Sequence, residues 1–128
     1  VIVIDTHVLV WWATSGRDQL SKAARRAIVD ADSIAISVIT AWEVGILSVR
    51  RRIDIGSRPN DWLRDVTEAN RLTVLPVTIE IATLATTLHE TLRDPMDCLI
   101  AATALTHSVP LVTKDERIQR SGVVATIW

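Results

Sequence analysis

Arg93-Asp94-Pro95-Met96-Asp97-Cys98-Leu99-Ile100-Ala101-Ala102-Thr103-Ala104-Leu105 opens with two carboxylates and then runs almost wholly apolar. A helix on a protein surface alternates a polar and an apolar face, and this stretch does not. It is therefore expected to pack on most of its sides inside an α/β domain. Asp94 suits the N-cap, Pro95 suits the first helical position, where its missing N–H costs nothing, and Asp97 falls in the first turn. Two readings of these acids stand open at this point. Either they serve only the cap and the helix dipole, or they belong to a site with other acids that stand where apolar runs end.

Working outward, residues 78–92 form an amphipathic helix with Ile81, Leu84, Ala85, Leu88 and Leu92 on one stripe. Residues 109–113 read as a strand with Lys114-Asp115-Glu116 at its exit, followed by a helical turn around Ile118 and a last strand over 123–127. At the other end, the β-branched run 1–4 is a buried strand that stops at Asp5-Thr6-His7. A brief helix over 8–12, a turn at 15–18 and a helix capped by Ser21 and running to Ala31 come next. Residues 33–36 are a second strand, after which Ser37 or Thr40 caps a helix to about Arg51. A loop at 56–59, a short helix from Asn60 or Asp61 to Asn70 and a strand over 72–77 complete the chain. Short strands alternating with helices predict an α/β fold, a short central parallel sheet of four to five strands with helices on both faces.

The 128 residues suffice for one domain, 1–128, with a substantial core. Hydrophobic residues at 48% and charged residues at 23% fit a compact protein and argue against disorder. No apolar run approaches the roughly 20 residues of a membrane span, and no basic-then-apolar leader is expected. The chain begins at Val1 without a Met, so a first residue or tag is expected to be missing. Cys98 is the one cysteine, which excludes an intramolecular disulfide and suits the cytoplasm. A formal charge of −1 leaves no overall basic footprint for nucleic acid.

In parallel α/β sheets, ligands bind beyond the C-terminal strand ends at the point where strand order reverses. Asp5 and Asp115 each follow a strand, Glu43 lies one turn into the helix after the second strand, and Asp97 starts the helix leading to the strand before Asp115. Ile39, Glu43, Ile46, Leu47 and Arg50 share a helix face, which puts Glu43 in an apolar stripe where an ionised carboxylate needs a partner. A pair with Arg50 or another arginine would supply one. Converging carboxylates instead call for a cation, and all-oxygen ligands without a His or Cys cluster favour Mg²⁺ or Mn²⁺ over zinc. Such ions suit phosphodiester cleavage without a side-chain nucleophile. Trp11 and Trp12, adjacent on a short helix, leave one ring free for an apolar groove unless both are partly buried. Arg17, Arg25, Arg26, Arg93 and Arg117 are candidates to contact phosphates.

The Val-Ile-Val-Ile-Asp5-Thr6 strand end, the Glu43 helix, the Arg93 to Ala104 stretch and Leu111-Val112-Thr113-Lys114-Asp115 together resemble the PIN-domain family, and within it the VapC toxins of bacterial toxin–antitoxin pairs. The resemblance spans essentially the whole chain. It implies a metal-dependent endoribonuclease whose acidic site is Asp5, Glu43, Asp97 and Asp115, holding Mg²⁺ or Mn²⁺, with Thr6, Thr113 and Asp94 in support. It also implies inhibition by a VapB-like antitoxin and a homodimer. The chain departs from the family at Cys98, where many relatives carry Arg, and at Leu92, where many carry His. Glu116 competes with Asp115 for the fourth acid, and strand-exit spacing favours Asp115. Two alternatives remain: a non-catalytic module whose acids receive a basic partner segment, and a phosphatase using Asp5. The latter would want a second Asp where His7 stands.

Overall fold

The computed structural model describes residues 1–128. Five strands, β1 (Ile2–Ile4), β2 (Ile34–Ser37), β3 (Thr73–Leu75), β4 (Leu111–Val112) and β5 (Thr126–Ile127), pair in parallel in the order β3-β2-β1-β4-β5. Seven helices connect or flank them: α1 (Thr6–Ala13), α2 (Lys22–Asp30), α3 (Val38–Val49), α4 (Pro59–Ala69), α5 (Ile79–Leu92), α6 (Pro95–Thr106) and α7 (Glu116–Ser121). A single 3₁₀ turn spans Arg17–Gln19.

Strand alternation divides the core. Val3, Ala35 and Leu111 enter one cluster with Ile81, Ala85, Leu88 and Leu92 of α5, most of α6, and Ile118 of α7. Ile2, Ile4, Ile36 and Val112 enter the other with α1, α2, Val44 of α3, and Trp62 and Val66 of α4. The sheet is thus covered on both faces, as parallel pairing requires. Helix α6 is the most enclosed helix. Cys98, Ile100, Ala101, Ala102, Thr103 and Ala104 are all buried, and Ala at three of these positions lets α5 and the sheet approach closely.

Several boundaries differ from expectation. Helix α1 begins at Thr6, two residues early, because Asp5 is its N-cap and no loop intervenes after β1. Helix α4 starts at Pro59, where proline fits the first turn. Three strands are shorter than their apolar runs: β3, β4 and β5 hold two or three residues each. Residues such as Val77, Val109 and Val123 are apolar because they pack on the core beyond the ladder. The Ser21 and Asp94 caps, Pro95 at the first helical position and the α5 stripe stand as expected.

The corner between α5 and α6 is unusually tight. Arg93 adopts φ 69 and ψ −55, and the Asp94 N–H donates to the Leu92 carbonyl at 2.8 Å, closing a γ-turn at a non-glycine residue. Asp94 then accepts from the N–H groups of Met96 and Asp97 at 2.8 and 3.1 Å, so the chain passes from one helix to the next within two residues.

Candidate active site

The strand order runs outward from β1 in both directions, so the crevice between the ends of β1 and β4 is the switch point. Asp5 leaves β1 there. It is 9% exposed, and both its oxygens are engaged: Oδ1 accepts from the Thr6 N–H at 2.7 Å and Oδ2 from the Thr113 hydroxyl at 2.7 Å. Thr113 leaves β4 and also accepts from the Asp115 N–H at 3.0 Å, so one hydroxyl joins the first and fourth acids. Asp115 caps α7, its Oδ1 accepting from the Ile118 N–H at 2.9 Å.

Glu43 approaches from α3. Its Oε1 accepts from the Thr6 hydroxyl at 2.6 Å, and Thr6 is a further 3.3 Å from the Thr40 hydroxyl. No arginine pairs with it, which corrects one reading of its helix face. The apolar stripe is corrected too. Ile39 packs on one core cluster and Val44 enters the other, so Glu43 lies at the border between them, facing the crevice. Asp97 comes from the first turn of α6. Its own N–H is taken by Asp94, but no protein donor reaches its carboxylate.

Asp5, Glu43, Asp97 and Asp115 line one cavity of about 490 Å³ together with His7, Trp11, Lys114 and Glu116. Its electrostatics follow from burial. Desolvation raises the Asp5 pKa against the lowering effect of its Thr113 and Thr6 hydrogen bonds. Desolvation likewise raises Glu43, opposed by Thr6 and reinforced by Asp5 and Asp94. For Asp97 nothing opposes the shift. Burial, then repulsion from Asp5, Asp94, Asp115 and Glu43, lifts it to about 7. The oxygen-only donor set and these upward shifts suit a hard cation, which would relieve the same repulsion. As the side chains stand, no group of three or more is arranged to hold an ion, because Asp5, Glu43 and Asp115 are each drawn to protein donors.

Asp94 lies beside the cavity as the α6 cap. Glu116 lines it as well, with its Oε2 2.7 Å from Arg120 in an exposed ion pair. Cys98 is 2% exposed in the core, and burial pushes its thiol up, so it is no nucleophile. Leu92 is fully buried under α6. Among the arginines singled out, Arg17, Arg25 and Arg117 bond backbone carbonyls and Arg26 pairs with Asp30. Trp11 and Trp12 are both half-buried; Trp11 faces the acids, and Trp12 lies over Leu20 and Ile28. Sequence reasoning did not place His7, Trp11 or Lys114 in the cavity. The signal available was helical phase: His7 and Trp11 are four residues apart and share a face directly after Asp5.

The PIN domain model matches residues 2–123. Ribonuclease VapC22 of Mycobacterium tuberculosis is 35% identical over 130 residues, covering 99% of this chain and 98% of that protein. Among solved structures, the fold is similar to that of VapC20 of Mycobacterium tuberculosis, a sarcin-ricin loop cleaving toxin, at TM-score 0.71 and 18% identity over 95% of each chain. It is also similar to a chain of DNA-bound VapBC from Salmonella typhimurium, at TM-score 0.69 and 19% identity over 98% of this chain and 95% of that one. No helix is long and apolar enough to cross a membrane. With the family model matching nearly the whole chain and a relative 35% identical along its full length, the chain belongs to the PIN-domain family.

Proposed function

We propose that this protein is a VapC-type ribonuclease toxin that cleaves single-stranded RNA using Mg²⁺ or Mn²⁺ held by Asp5, Glu43, Asp97 and Asp115. The observation that carries this reading is the gathering of these acids from four separate elements at the β1/β4 switch point, with three of them pushed toward protonation. Bound there, the ion supplies charge neutralisation at the phosphodiester and activation of water. The chain's own residues prepare that site. Thr113 and the Thr6 N–H fix Asp5, the Thr6 hydroxyl positions Glu43, and Asp94 orients the first turn of α6 from which Asp97 projects. The relationship to Ribonuclease VapC22 supports the substrate class.

An open crevice suits an unpaired strand better than a closed A-form duplex, whose scissile phosphates lie along a rigid helix. The VapBC complexes among the structural relatives support a VapB-like antitoxin as partner. On this reading the toxin is a homodimer that acts in the cytoplasm. The phosphatase reading is disfavoured because His7 occupies the position where a second acid would stand. Incubating antitoxin-free protein with total cellular RNA, with and without Mg²⁺ or Mn²⁺, tests the proposal. Discrete cuts that need metal and vanish in Asp5→Asn are expected. Well-folded protein that cuts nothing with either metal would point to a binding module.

A further inference from the structure

Lys114 is the one lysine or arginine lining the acid cavity. Its backbone is fixed at the exit of β4, between Thr113, which holds Asp5, and Asp115, which caps α7. A lysine beside several carboxylates would ordinarily bridge to one of them, yet its ammonium forms no ion pair. It stands instead over the Trp11 ring, 5.4 Å from the centroid. Trp11 is in turn braced by His7 and Trp128, with ring centroids 5.7 and 6.1 Å away. A cation held on an aromatic face keeps its full charge and its three donors, because the ring attracts it without accepting a proton or a directed hydrogen bond.

An RNA strand entering this cavity meets mostly negative charge, so one cation at its wall decides where a phosphate can rest. We propose that Lys114, perched on Trp11, grips a phosphate of single-stranded RNA next to the scissile linkage and so sets the position of the strand against the acids. This rests on the ribonuclease reading above. Lys114 acts by placing the backbone, and the cleavage chemistry stays with the acidic set. Trp11 fixes the height of the ammonium above the cavity floor.

The test uses a fluorescent single-stranded RNA oligonucleotide and full-length protein carrying Asp97→Asn, with and without Lys114→Gln, titrated over a range of salt concentrations in Mg²⁺. Cleavage by the Lys114→Gln and Lys114→Arg single variants is followed in parallel, and thermal unfolding verifies that the exposed substitutions leave the fold intact. Lys114→Gln is expected to weaken binding about five- to tenfold and to lower the slope of log affinity against log salt by about 0.7, the value for one phosphate contact on a single strand. KM should rise with little change in kcat, and Lys114→Arg should recover most of the loss. Unchanged affinity and slope, or a defect confined to kcat, overturns the proposal while wild-type cleavage still stands. A wild-type protein that cuts no RNA overturns the ribonuclease reading, and this one with it.

Discussion

Replacing Asp97 by Asn tests whether the acids at the switch point are held there against their own repulsion. Asp97 receives no protein hydrogen bond on its carboxylate, and burial with four neighbouring acids raises its pKa from 3.8 to about 7. A value higher in the folded than in the unfolded chain means that the folded protein binds the extra proton. The stability associated with Asp97 is therefore fully present below about pH 4 and is lost as pH rises to about 7. Fully realised, such a shift corresponds to about 4 kcal/mol. Asp97 keeps part of its surface in water, where screening weakens the repulsion, so about 2 kcal/mol is expected. Asparagine also gives up the favourable charge in the first turn of α6, worth about 0.5 kcal/mol. Asp97→Asn should then stabilise the metal-free protein by about 1.5 kcal/mol at pH 8, raising Tm by roughly 5 °C in a chain of this size. The gain should shrink toward zero as pH falls to about 4, where the wild-type carboxyl is neutral as well. Thermal unfolding in the presence of a chelator, over a pH series, reads this directly. Destabilisation at pH 8, or an equal gain at both ends of the series, would refute the reasoning. The same substitution should abolish cleavage, so stability and activity move in opposite directions at one atom.

Metal binding should show the complementary dependence. Mg²⁺ at a fixed concentration of about 100 times its wild-type Kd at pH 8 should stabilise the wild type by about 2.7 kcal/mol there, less below pH 7, and should stabilise Asp97→Asn much less; calorimetry in two buffers should detect proton release near pH 7. Thr113→Val should leave a buried Asp5 oxygen unsatisfied, costing about 1 to 3 kcal/mol in urea unfolding and about tenfold or more in activity. Ser21→Ala removes the α2 cap, whose hydroxyl accepts from Ala24 at 3.0 Å. It should cost about 1 kcal/mol and leave cleavage unchanged, separating a general loss of stability from damage at the site.

Much of the architecture was legible because local chemistry and global placement agree. The run ending at Asp5 reads as a buried strand, and the Asp94-Pro95 pair, leading into the apolar and small residues from Cys98 to Leu105, reads as the start of an enclosed helix. The four acids could be assigned to one sheet end from the position of the strand ends alone. What was not legible depends on side-chain direction. Thr6 turns its N–H to Asp5 and its hydroxyl to Glu43, a division of labour that no spacing encodes. The place of Glu43 at the border of two core clusters follows from how α3 leans on the sheet, not from its own periodicity. Lys114 read as one charge at a strand exit, and its meeting with Trp11 joins segments more than 100 residues apart in sequence. Strand lengths were overestimated because apolar residues beyond a ladder look the same as those within it.

The γ-turn at Arg93 restricts how this chain can change its length. Two helices that meet with no slack transmit any insertion or deletion as rotation: one residue added at the corner turns α6 by about 100° and shifts it by about 1.5 Å. Asp97, three residues beyond Asp94, would swing off the crevice, and the buried alanines would be replaced against the sheet by whatever followed them. The corner should therefore resist length variation, whereas the loop at 50–58 between α3 and α4, which joins no acid to the sheet, is free to lengthen or shorten.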